Sequence, residues 1–363
     1  MIKIQFTIYL ILLNFSFSCV YEENAPAPSA SLSKPTPPSL DQSDSLKYIY
    51  GVRSILQDRQ GNYWLGSHRE GACVYDGENF TYFTIKEGLT DHQIRTIQED
   101  AEGRIWFGTG NGVSSYQQES ITNHNQPELF QLDLVPQDQA WALGEQNLWF
   151  NASDRPGVYR YDGQKINYLS FPLEVDEEGH HSYSVTGFAK GQQGQLWIAT
   201  YGAVIGYDGK DFTIINAQSL GLDPNFGGLH VRSILEDSKG RLWIGNNGIG
   251  VLQKNEGKTI NFSRAQGLIH RNSTGRGSLS PPGTLEHVFA ITEDRHGNIW
   301  FGDRDTGVWK YDGQTMINYA IIDPSLPKQM VWHIYEDRQG NLLFAMAEGG
   351  VYQFNGKDFD RKF

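Results

Sequence analysis

One phrase recurs along this chain and constrains its fold more than any other feature. Val52-Arg-Ser-Ile-Leu-Gln-Asp58 leads through Arg-Gln-Gly-Asn62 to Tyr-Trp-Leu-Gly66, then to Ala-Cys-Val-Tyr-Asp-Gly77 and Asn-Phe-Thr-Tyr-Phe-Thr84. The phrase returns at Ile94, Val231, Val288 and Val331, with looser copies at Ala140 and Val185. Its marker tryptophan stands at Trp64, Trp106, Trp149, Trp197, Trp243 and Trp300, and Leu343 takes its place in the last copy. Successive markers are 42, 43, 48, 46, 57 and 43 residues apart. A period of this length, sustained to the end of a chain, specifies a repeat architecture.

Each copy holds four strand-like runs separated by turn chemistry. The first alternates, with Val52, Ser54 and Leu56 set against Arg53, Ile55 and Gln57. Asp58-Arg-Gln-Gly61, Asp294-Arg-His-Gly297 and Asp337-Arg-Gln-Gly340 then form a turn in which Asp bonds its own backbone and Gly takes the left-handed position. Tyr75-Asp-Gly77, Tyr161-Asp-Gly163, Tyr207-Asp-Gly209 and Tyr311-Asp-Gly313 mark the hairpin between the last two strands. Four antiparallel strands per repeat and seven repeats predict an all-β, seven-bladed β-propeller of four-stranded antiparallel blades over residues 47–363. Recurrence at one structural position assigns these Asp and Gly residues to turns and the Trp residues to packing between blades. Blade three departs furthest, its first turn reduced to Gly144-Glu-Gln-Asn147. Asp358 to Phe363 supplies blade seven with its own last strand, so the ring closes by blade packing alone or by pairing of residues 47–50 with blade seven.

The amino terminus is of another kind. Lys3, an apolar run from Ile4 to Leu13 and Ser16-Phe17-Ser18-Cys19 read as a signal peptide over residues 1–18, too short to span a membrane. The cysteine ending that run resembles a bacterial lipobox, with Ser16 where Leu is usual, and makes Cys19 the expected lipid-attachment site. Residues 19–46, rich in Pro, Ser and Ala, read as an extended tether. With Cys19 acylated only Cys73 remains, so no intramolecular disulfide is available. The expected location is beyond the inner membrane, as an outer-membrane lipoprotein facing the periplasm or the cell surface, with the lipid as the only membrane contact.

The formal net charge of −12 excludes the polyanion-binding class, and no nucleic-acid partner is expected. Inner strands of a propeller line its axis. Alignment of the copies puts Arg53, Arg95, Trp141, Thr186, Arg232, Phe289 and Trp332 at the second position of those strands, and mostly small residues at the third, where His333 is the exception. Arginines are not buried unpaired. They either bridge blades through carboxylates or reach an open mouth, where Arg and aromatic side chains suit a carbohydrate, especially an acidic one. His92, His230 and His287 each precede an inner strand and, with His68 and His333 on the same face, extend the candidate ring. Residues on separate blades need not converge on a metal, so neither a metal nor another cofactor is expected. Glu174 to His181 reads as a solvated acidic loop. The longest insertion, Gly267 to Glu286, carries Arg271 and Arg276 and is expected to overhang the mouth as a mobile lid.

Glu99-Asp-Ala-Glu-Gly-Arg-Ile-Trp-Phe-Gly108, Glu293-Asp-Arg-His-Gly-Asn-Ile-Trp-Phe-Gly302 and Gly307-Val-Trp-Lys-Tyr-Asp-Gly313 resemble the two-component regulator propeller repeat. The resemblance covers about residues 49–363 and is specific in five copies. It implies an extracytoplasmic sensing module of a kind often fused to a membrane-spanning histidine kinase and reading oligosaccharide fragments. Kinase, DNA-binding domain and second membrane segment have no counterpart here, so such a chain would not signal across a membrane alone, and the repeat supplies no catalytic residues. The expected function is capture of a small molecule or glycan fragment without catalysis. The alternatives are an interaction scaffold for another envelope protein, and a propeller lyase or hydrolase.

Overall fold

The computed structural model describes residues 40–125, 141–173, 180–222, 228–273, 279–321, 323 and 329–363, and Cys19 lies outside them. These residues form seven antiparallel sheets following one another along the chain, a seven-bladed β-propeller with almost no helix. Blade one comprises Val52–Gln57, Tyr63–Ser67, Ala72–Tyr75 and Phe80–Phe83, edged by a short fifth strand, Gln42–Ser43, paired with Phe80–Phe83. The compact unit runs from Leu40 to Phe363, so residues 40–46 add to blade one. Blade three has three strands among the described residues, Leu148–Asn151, Gly157–Tyr161 and Ile166–Ser170.

The repeated Glu-Asp pair does two jobs. Asp237 Oδ1 accepts from the Lys239 and Arg241 N–H groups at 3.0 and 2.9 Å, closing the turn, while Oδ2 accepts from Trp243 Nε1 at 2.7 Å. Asp58 and Trp64, Asp100 and Trp106, and Asp294 and Trp300 repeat the arrangement. A buried indole N–H needs an acceptor, and the turn aspartate provides it. The glutamate reaches back to the preceding blade. Glu293 accepts from Ser238 N at 2.7 Å and Glu336 from Arg295 N at 2.9 Å. Each indole then packs on an aromatic ring of the next blade, as Trp243 on Phe301 at 5.7 Å and Trp300 on Phe344 at 5.7 Å.

In four blades a glycine two residues beyond the marker, Gly66, Gly108, Gly245 or Gly302, is a packing requirement. A Cβ at Gly66 would stand 2.3 Å from Ser54 Oγ, one at Gly108 2.4 Å from Thr96 Oγ1, and one at Gly245 2.2 Å from Ser233 Oγ. Small residues at the third inner position and glycine opposite them therefore set how closely blades crowd the axis.

Closure rests on packing and side-chain hydrogen bonds, the first of the two expected routes. Blade seven consists of Val331–Glu336, Leu342–Met346, Val351–Phe354 and Phe359–Arg361, all from the chain's end. Its inner strand meets that of blade one through His333 Nδ1, which accepts from Ile55 N at 3.2 Å, and Tyr335 Oη, which accepts from Gln57 N at 3.0 Å. Residues 47–50 turn to blade one instead: the Glu70 carboxylate accepts from Ile49 and Tyr50 N–H at 2.9 Å each.

Candidate functional site: the axial ring

A β-bulge interrupts every described inner strand at the same place. The ladder skips one residue between Val52 and Ser54, Ile94 and Thr96, Val185 and Gly187, Val231 and Ser233, Val288 and Ala290, and Val331 and His333. The residues left over are Arg53, Arg95, Thr186, Arg232, Phe289 and Trp332. A bulge frees its extra residue from the pleat and re-aims its side chain. Here six bulges aim six side chains at one cavity of about 490 Å³, which all six line together with Thr96, Asn151, Ser233 and His333.

Trp141 is a correction to the expected ring. It does not line the cavity, and no inner strand is found among the described residues of blade three. Its indole is 6% exposed, stacked on Trp149 at 5.8 Å and packed edgewise on Phe212 at 5.0 Å, with Nε1 donating to the Ser170 carbonyl at 3.1 Å. A large apolar side chain with its one donor satisfied is more stable between two blades than in a wet channel.

Rings cover two of the arginines. Arg232 lies over Phe289 at 4.3 Å and Tyr201 at 5.5 Å, and Arg53 over Trp332 at 5.8 Å. Their polar partners are neutral. Arg53 Nη1 is 3.3 Å from His68 Nδ1, Gln93 Nε2 is 3.1 Å from that same nitrogen, and Arg95 Nε donates to Gln93 Oε1 at 2.7 Å. Arg53, His68, Gln93 and Arg95 thus form one chain across two blades. Both neighbours of Nδ1 are donors, so it accepts and His68 is neutral. Arg232 Nη1 donates to Tyr201 Oη at 3.4 Å. Lost hydration, then the nearby Arg95 and Arg232 charges, lower the Arg53 guanidinium to about 9. Burial lowers Arg95 and Arg232 as well. Burial, followed by the Arg53 charge, lowers His68 to about 4.

The histidines divide. His333 lines the cavity, and burial lowers it to about 4. His230 and His287 are joined through Asn247, whose Nδ2 is 3.3 Å from His230 Nδ1 and whose Oδ1 is 2.7 Å from His287 Nδ1. Neither lines the cavity, and His287 is fully buried. His92 does not line the cavity either, and its carbonyl accepts from Gly71 N at 2.8 Å. Among the described residues no three His, Cys, Asp or Glu side chains converge as metal ligands.

Tyr201, Asn247 and Gln93 were not anticipated, and His68 only loosely. Aligning the residue after each second strand would have found three of them, since His68, Gly110, Ala152, Tyr201, Asn247, Arg304 and Ala347 stand there. The described ends of the 267–286 insertion are tied down: Glu286 accepts from His270 N at 2.7 Å and Ser273 Oγ at 2.6 Å, and Leu285 N donates to the Leu268 carbonyl at 2.8 Å. None of its described residues lines the cavity, and Arg276 and the acidic loop's side chains lie outside the described set.

The model of the two-component regulator propeller family matches residues 48–69, 88–111, 225–248 and 283–305. The chain carries two-component regulator propeller repeats. Among solved structures it is similar to the extracellular domain of a putative hybrid two-component system from B. thetaiotaomicron, at 21% identity and TM-score 0.61, over 86% of this chain and 40% of that one. It is similar to virginiamycin B lyase from Staphylococcus aureus at 16% identity and TM-score 0.59, over 86% of this chain and 98% of that one. PorZ, a surface component of the type-IX secretion system of Porphyromonas gingivalis, matches at 16% identity and TM-score 0.54, over 84% of this chain and 46% of that one. These likenesses establish a shared fold. The chain spans about two fifths of the two-component structure it matches. No curated protein matches it as a relative.

Proposed function

We propose that this repeat protein is an extracytoplasmic binding propeller that captures a small ligand, a glycan fragment by preference, in the mouth of its axial channel and performs no chemistry on it. The observation that carries the reading is the six bulges, which take six side chains out of their ladders and direct them at one cavity. Two of the six are aromatic and three are arginine, the pair of side-chain classes that stack on sugar faces and hold their oxygens. A cavity of this volume is of the order used for small ligands, roughly 300–1,000 Å³. The extracytoplasmic setting draws support from the family and from the extracellular domains that share the fold.

Glycan-array screening followed by calorimetry tests the reading. Phe289→Ala with Trp332→Ala should weaken any array-positive ligand by about 10–100-fold, as expected for two lost stacking faces. Undiminished binding would place the ligand elsewhere. Anchoring through Cys19 belongs to the same proposal. Metabolic labelling with a radioactive fatty acid should mark the wild type and not Cys19→Ser, whereas label persisting in the variant would refute the anchor.

A further inference from the structure

We propose that the axial ring reads an oxyanion: a carboxylate or sulfate group of the ligand seated among Arg53, Arg95 and Arg232. The inference rests on the channel being the binding site and adds what is recognised there.

Several arginines elsewhere in this chain meet acid. Arg59 pairs with Glu99, Arg104 with Asp100, Arg241 with Asp237, Arg295 with Glu336 and Arg304 with Asp305. The chain has 42 acidic residues against 30 basic ones, so carboxylates are plentiful. Yet among the described residues none forms an ion pair with Arg53, Arg95 or Arg232. Asp91 and Asp154 exert only a longer-range attraction on Arg95. The three arginines instead line one cavity, and the charges on Arg95 and Arg232 both disfavour that on Arg53. Like charges gathered in a recess out of bulk water are unfavourable, and an anion entering between them relieves both the repulsion and the lost hydration.

The partners that hold these arginines keep the ring electropositive. His68, Gln93 and Tyr201 orient them through lone pairs and add no negative charge. A guanidinium carries five N–H donors, and each of the three gives one to the protein. Donors left over among the described residues can meet a planar or tetrahedral oxyanion in charge-assisted pairs. Thr96, Thr186 and Ser233 line the same cavity, and among the described residues their buried hydroxyls have no protein partner. A neutral sugar would stack on Phe289 and Trp332 without relieving the charge.

The test is thermal unfolding of the full chain at fixed ionic strength in sodium chloride, sodium sulfate or sodium tri-galacturonate, with the methyl ester of tri-galacturonate as neutral control. The expected result is a saturable rise in Tm with sulfate or tri-galacturonate beyond that in chloride, and none with the ester. Apparent affinity should fall about tenfold or more in Arg95→Gln, the worth of one charge-assisted pair. Arg232→Lys, which keeps charge and fold but loses the fork, should weaken it less. Response to both anions indicates oxyanion recognition in general, and response to one alone identifies that group. No response to either, or an equal response in Arg95→Gln, overturns the proposal. A neutral oligosaccharide whose binding depends on Phe289 and Trp332 but not on the arginines would overturn the oxyanion while leaving the channel as the site.

Discussion

At the residue scale, the imidazole of His333 shows how one position serves both the ring and its closure. It lines the axial cavity and, through Nδ1, accepts the Ile55 N–H of the first blade. Only the neutral ring can do so, and burial lowers its pKa to about 4. His68 and His124 are lowered to about 4 by the same cause. A histidine with a depressed folded pKa contributes stability above the unfolded value near 6.5 and loses it as pH falls towards the folded one, because the unfolded chain protonates first. Asp303 works in the opposite sense. Burial raises its carboxyl to about 6, so it favours folding on acidification. Three histidines outweigh one aspartate, and denaturant-measured stability should fall between pH 6.5 and 4.5. His333→Asn, which keeps an acceptor for the Ile55 N–H, should flatten that slope. A slope unchanged in the variant would mean that His333 is protonated in the native state.

At the scale of elements, the bulged inner strand is the unit that matters, and in four blades a glycine on the neighbouring strand lets it pack closely. Gly245 faces Ser233 Oγ, the Val288 carbonyl and the Val288 side chain, all of which a Cβ would meet within 3.1 Å. Gly245→Ala should therefore cost about 1–3 kcal/mol, the usual range for overpacking. Ser233→Gly in the same chain should recover part of that loss, which urea unfolding of the single and double variants would measure. No recovery would mean that the backbone of blade six, not the serine, sets the spacing. Much of this was legible beforehand. Alternation gave the strands, Asp-Gly gave the hairpins, and the aligned copies put Arg53, Arg95, Arg232, Phe289 and Trp332 on one ring. The bulge was not legible, because a register slip leaves no mark in a strand whose two faces are both largely buried. Trp141 misled for the same reason: alignment assigned it a position in an inner strand, and packing against Trp149 and Phe212 placed its side chain elsewhere.

At the scale of the whole molecule, repetition separates scaffold from site. Residues shared by the blades, the Asp–Trp clamps, the bridging glutamates and the crowding glycines, account for one another by hydrogen bonds and packing. What differs from blade to blade collects on the axis. The same ring explains why charge excluded one partner class and not another: a net charge of −12 repels a polyanionic duplex, yet three arginines in a recess can hold one anionic group. The pairing of those arginines could not be read from sequence, since acidic residues abound and only the folded ring reveals that its polar partners are His68, Gln93 and Tyr201. The most direct measurement is a crystal structure of the propeller with a ligand selected on the glycan array. The expected result is ligand density at the axis, in contact with Arg53, Arg95 and Arg232 and stacked on Phe289 or Trp332. Density confined to the outer blade edges, or to the face of the Asp-Gly hairpins with the axial cavity empty, would contradict it.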